Sequence, residues 1–105
     1  MKALVILAYQ PSEALLHLLQ HLPPGSFAAI VVVDDGGGPE YAEIFSRAST
    51  LPSVQIARHA VPIGRGAALR AGIHAALSTA PDLTDIVTAD SSHSVEEVAR
   101  AHGLR

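Results

Sequence analysis

A chain of 105 residues with 49% hydrophobic residues and a mean hydropathy of +0.31 suits one ordered domain with a modest core, since domains most often run to about 100–150 residues, and excludes intrinsic disorder, which needs an apolar-poor, charge-rich chain. The formal net charge of -3 and pI near 6.0, with scattered basic residues and no Trp, argue against a nucleic-acid partner, which calls for a basic face or an aromatic platform. The absence of Cys excludes disulfides, thiolate catalysis and cysteine-ligated zinc.

The longest apolar run, Ala3 to Ala8 (ALVILA), falls far short of the about 20 residues that a membrane-spanning helix needs. Lys2 ahead of it, with no small-residue cleavage site behind it, does not read as a secretory signal. A cytoplasmic location, in solution or at a membrane face, is the default expectation. Ala3 to Ala8 reads instead as a first strand, broken by Tyr9, Gln10 and Pro11. Ser12 can cap a helix whose Leu15, Leu18, Leu19 and Leu22 follow i, i+3, i+4, i+7, and Pro23, Pro24 and Gly25 end it. Ile30 to Gly38 (IVVVDDGGG) organises the chain. Its valines suit a strand buried on both faces, Asp34 and Asp35 stop the apolar run, and Gly36, Gly37 and Gly38 let the backbone turn beside a ligand.

Pro39 then opens a short helix with the stripe Tyr41, Ile44, Phe45 and Ala48. Val54 to Arg58 alternates apolar and polar, as expected of a strand near a sheet edge. After the turn VPIGRG a third helix runs from Ala67 with the stripe Leu69, Ile73, Ala76 and Leu77, stopped by Pro81. Leu83 to Thr88 reads as a fourth strand. Ser94 and Glu97 form a capping box for a last helix with Val95, Val98 and His102 on one side.

The order βαβαβαβα predicts an α/β three-layer sandwich, with a mostly parallel sheet of about four strands and Rossmann-like crossovers. Ligands of such sheets bind outside the carboxyl ends of the strands. Tyr9, Asp34 with Asp35, His59 and Asp90 each fall at one of those ends and are expected to share a rim. The aspartate pair can accept hydrogen bonds from a base or ribose. Asp90, followed by Ser91, Ser92 and His93, is the better candidate for Mg or Mn, which favour oxygen ligands. Gly64, Arg65 and Gly66 open the third helix with free amides and a forked cation, which suits an anion. The first strand–helix turn has no glycine, GRGAAL lacks the third one of a dinucleotide fingerprint, and the only lysine, Lys2, is no Walker lysine. His17 and His21, four apart, can clip a transition metal or simply be solvated. His74, beside the third stripe, reads as structural. No nucleophile elbow appears.

VVVDDGG, IGRGAALRAGI and TADSSHSVEE, in that order after VILAYQP, resemble the nucleotide-binding half of family-two inverting glycosyltransferases of the GT-A fold, the polyprenyl (dolichyl) phosphate mannosyl- and glucosyltransferase branch above all. The resemblance runs from Leu4 to about Val98. It implies a nucleoside diphosphate sugar, UDP- or GDP-linked, as ligand, a Mg or Mn ion, and hexose transfer to a lipid-phosphate or sugar acceptor. Ala8 and Tyr9 match the family's PAYNE motif, whose proline, asparagine and glutamate are replaced here. Asp34, Asp35 and Gly36 match VDDGS and are implied as nucleoside contacts. Gly64, Arg65 and Gly66 match the GKG turn, implied at the diphosphate. Thr88, Ala89 and Asp90 match the DAD metal motif, with Asp90 as its metal-holding carboxylate; a rival alignment makes Asp90 the first aspartate.

The resemblance implies that residues 1–105 are a single nucleotide-sugar-binding domain, truncated relative to a complete transferase. About a further hundred residues would carry the acceptor site and the general base, so no catalytic residue is assigned. A sheet ending at the fourth strand leaves an edge through which copies can associate. Two other classes remain open: a catalytically inactive scaffold or binding module of the same fold, and a receiver-like signalling domain. The second expects the aspartate pair on the first strand and a later lysine.

Overall fold

The computed structural model describes residues 2–23, 25–35, 38–58, 64–91 and 94–102. In chain order the elements are β1 (Lys2–Ala8), α1 (Glu13–His21), β2 (Ala29–Asp34), a 3-10 turn (Pro39–Tyr41) running into α2 (Ala42–Ser49), β3 (Val54–Arg58), α3 (Arg65–Thr79), β4 (Asp85–Asp90) and α4 (Val95–His102). The strands form one sheet in the order β3-β2-β1-β4, every pair parallel. Helices flank this α/β sheet in a Rossmann-like sandwich, as the strand–helix alternation predicts.

The pleat of β1 and β2 sends alternate residues to two cores. Leu4, Ile6, Ile30 and Val32 pack with Leu15, Leu18 and Leu19 of α1, Phe45 of α2 and Val98 of α4. Ala3, Val5, Leu7, Val31 and Val33 pack with Ala68 and Ala76 of α3. That distribution follows from topology: β1 to β3 step outward on one side, whereas β3 to β4 returns past β1, so right-handed crossovers put α1 and α2 on one face and α3 on the other. Along the rim the registers align Ala8 with Asp34, Asp34 with Arg58 and Leu7 with Asp90.

Local chemistry sets the helix starts. The Ser12 hydroxyl accepts from the Ala14 amide at 3.2 Å. Ser94 and Glu97 close their box, the Glu97 amide donating to Ser94 Oγ at 3.1 Å and the Ser94 amide to Glu97 Oε1 at 3.0 Å. Of the stripe expected on α4, Val98 is buried, while the side chains at 95 and 102 lie outside the described residues.

Two expectations are corrected. The third helix does not bury Leu69, Ile73 and Leu77: its inward face is Ala68, Gly72 and Ala76, with Leu69 and Ile73 half-buried and Leu77 43% exposed. The reason is close approach. A Cβ on Gly72 would lie 2.5 Å from Val5 Cγ1 and 2.9 Å from Val33 Cγ2, so only the small residues fit against the valines while the large ones splay to the flanks. His74 is exposed as well. The fourth strand is Asp85–Asp90 rather than Leu83 to Thr88. Pairing with Lys2 to Leu7 of β1 fixes its limits, and Leu83 instead closes a turn onto the Ala80 carbonyl.

Candidate functional site at the carboxyl rim

Strand order doubles back between β1 and β4, and a crevice at such a reversal is where open α/β sheets bind ligands. A cavity of about 320 Å³ lies there. Its wall combines Leu7, Ala8 and Tyr9 at the end of β1, Asp35 after β2, Arg65 and Ala68 of α3, and Asp90 of β4. Tyr9, Asp35 and Asp90, expected on the rim, thus converge with the other site candidates Ala8 and Arg65 from four separate parts of the chain.

Backbone latches hold the wall in place. The Asp35 amide donates to the Ala8 carbonyl at 3.3 Å and the Ser91 amide to the Leu7 carbonyl at 3.1 Å, so the exits of β2 and β4 are pinned to β1. Tyr9 is 55% exposed and leads into Gln10, whose φ of 50° turns the chain away from the sheet. Gly64 precedes α3 with φ 90°, a conformation that a side chain rarely tolerates. Its carbonyl accepts from the Ala68 amide at 2.9 Å. Gly66 is different: a Cβ there would meet nothing closer than Arg70 Nη1 at 3.6 Å, so packing does not require glycine and the first turn of α3 is left open to a ligand.

Charge is arranged across the cavity. Arg65 Nη1 sits 3.7 Å from Asp90 Oδ2, with the side chains 73% and 41% exposed. An ion pair this long and this wet contributes about 0–1 kcal/mol, so an anion can draw the guanidinium away at little cost. Asp35 adds a half-buried carboxylate to the same wall.

Asp34 stands apart from the cavity wall. It points to the α1–α2 face with its side chain 5% exposed, and Arg58 Nε donates to its Oδ2 at 3.0 Å. The Arg58 guanidinium also lies 6.0 Å from the centre of the Phe45 ring. A carboxylate so buried needs a partner, and the parallel register supplies one by aligning Arg58 with Asp34. Sequence reasoning missed this pair, although an Asp and an Arg closing consecutive parallel strands is the signal for it. Gly36, His59, Ser92 and His93 lie outside the described residues.

A second cavity, also about 320 Å³, opens near the amino ends of β2 and β3 among Leu19, Leu22, Phe27, Ile30 and Leu51. Its lining carries no charged group among the described residues, and none of the expected site residues reaches it. The polar rim is therefore the candidate site.

Fold and rim together define a class: an open parallel α/β sandwich of Rossmann-like type with its polar side chains gathered where the strand order reverses. No family model, curated protein or solved structure matches the chain. Among the described residues no helix is long and apolar enough to cross a membrane.

Proposed function

We propose that the rim binds a nucleoside diphosphate sugar, as the nucleotide-binding half of an inverting hexosyl transfer to a lipid-phosphate or sugar acceptor. The observation that carries this reading is the convergence of Ala8, Tyr9, Asp35, Arg65 and Asp90 on one cavity. Asp35 accepts hydrogen bonds from the nucleoside and Tyr9 borders it. Arg65, with the amides opening α3, receives the diphosphate: the guanidinium fork matches phosphate oxygens and the helix start favours negative charge. Asp34 supports the nucleoside end through the strand it anchors.

The donor set fits a Mg or Mn ion of one kind only. Among the described residues no three His, Asp or Glu converge to enclose a cation. Magnesium is usually held by one or two carboxylates plus substrate phosphates and water, and Asp90 with Asp35 on the same wall is such a set. Lewis-acid stabilisation of the departing diphosphate is the chemistry that such an ion supplies when bound. Before binding, the Arg65 guanidinium offsets part of the Asp90 charge; once it turns to the phosphates, Asp90 can serve as an oxygen ligand.

Calorimetric titration with UDP, GDP and their hexose conjugates, each with and without Mn, tests the reading. Saturable heat that depends on Mn and is lost in Asp90→Asn supports it. No heat with any of these compounds removes it in favour of a scaffold, and heat unchanged in both Asp90→Asn and Arg65→Ala removes the assignment to this rim.

A further inference from the structure

We infer that His17 and His21 form a second, independent metal site, a two-imidazole clip on α1 for a borderline transition-metal cation such as Cu(II) or Zn(II). The two residues are one helical turn apart, so their side chains project from the same face, and both are exposed. Their rings stack with centroids 4.1 Å apart and planes 27° from parallel.

Hydrogen bonding then orients one of them. His21 Nδ1 lies 2.9 Å from the His17 carbonyl oxygen. A carbonyl can only accept, so Nδ1 carries the proton and, in the neutral ring, the lone pair is left on Nε2. A ring N–H tied to a backbone carbonyl is also how protein ligands to metals fix their tautomer and orientation. The His17 ring already stands beside it. With His21 held by that hydrogen bond, chelation requires the His17 ring to turn about χ2, a broad torsion in His, until its lone pair and that of His21 Nε2 meet one ion, for which Zn–N distances of about 2.0–2.1 Å are usual.

Imidazole nitrogens suit Zn, Cu and Ni, with Cu(II) the tightest of the divalent series, whereas Mg and Mn prefer oxygen. The clip and the rim thus differ in chemistry. They also differ in place: α1 leads from the carboxyl end of β1 back to the amino end of β2, so its last turn, with His21, lies toward the end of the sheet away from the rim. Glu13, one turn before His17, is engaged by Arg47 at 3.0 Å, which leaves the remaining coordination positions to water.

Titration of the full chain, free of any affinity tag, with CuCl2 and with ZnCl2 tests the clip by calorimetry and by thermal melting. Saturable binding of one equivalent is expected to raise the melting temperature, because the ion cross-links one turn of α1. His17→Ala and His21→Ala should each weaken it at least tenfold, His74→Ala should not, and excess MnCl2 should not compete. Electron paramagnetic resonance of the Cu(II) form should report two equatorial nitrogens, a readout that does not depend on stability. Absence of saturable binding in the wild type, binding in both variants as tight as in the wild type, or loss in only one of them overturns the clip. Because UDP or GDP binding is measured separately, failure here leaves the rim untouched, and failure at the rim leaves the clip.

Discussion

Asp34 and Asp35 are neighbours in sequence with opposite duties. Asp34 is buried against Arg58, so Arg58→Ala takes a charged partner from a carboxylate inside the protein. Because Arg58 itself is 56% exposed, the loss is less than for a fully buried pair, and about 1–3 kcal/mol is expected, read from the midpoint of urea unfolding. Asp35 lines the cavity, so Asp35→Ala should leave unfolding within about 1 kcal/mol of wild type and weaken nucleotide binding at least tenfold in calorimetry. Arg65→Ala follows the same pattern. Its exposed pair contributes about 0–1 kcal/mol, and removing a cation from a helix start relieves an unfavourable dipole contact, so stability should hold while the proposed diphosphate contact is lost.

At the scale of the element, α3 is the least expected and the most telling. It lies on β1 and β2 through Ala68, Gly72 and Ala76, and this close approach brings its first turn to the cavity where Arg65 and Ala68 are both found. Gly72→Ala drives a methyl into Val5 and Val33. Overpacking of this sort costs about 1–3 kcal/mol, and the helix must lift from the sheet. Weakened binding at the proposed nucleotide site, about two turns away along α3, is the expected companion effect, measured beside the unfolding midpoint. Helix α1 relies on ordinary burial instead. Leu15→Ala, at 0% exposure in the larger core, should cost about 2–5 kcal/mol, whereas Ser12→Ala removes a single cap worth about 1 kcal/mol.

At the scale of the molecule, the sheet closes neither end of its row. Among the described residues β3 and β4 each pair on one side only, and on the α3 face Thr88 in the middle of β4 is exposed. Open edges invite pairing with another chain, and association through β4 is the expected outcome. Light scattering over a hundredfold range of concentration checks it: a mass that rises toward twice the monomer agrees, and a monomer throughout counts against it.

Much of this was legible in the residues themselves. Valine runs, leucines at helical spacing, Ser12 and the Ser94–Glu97 box act within a few positions of the chain, so the strand–helix alternation and the polar strand ends could be read from them. Which aspartate meets the cavity could not. Successive strand residues point to opposite faces, and only the packing of α3 decides which face belongs to the cavity. The limits of β4 likewise came from hydrogen bonds to β1, a partner 83 residues away by sequence and adjacent in the sheet. The buried side of α3 came from the valine surface it meets, because a helix carrying both small and large apolar residues has no preferred inward face until something is packed against it.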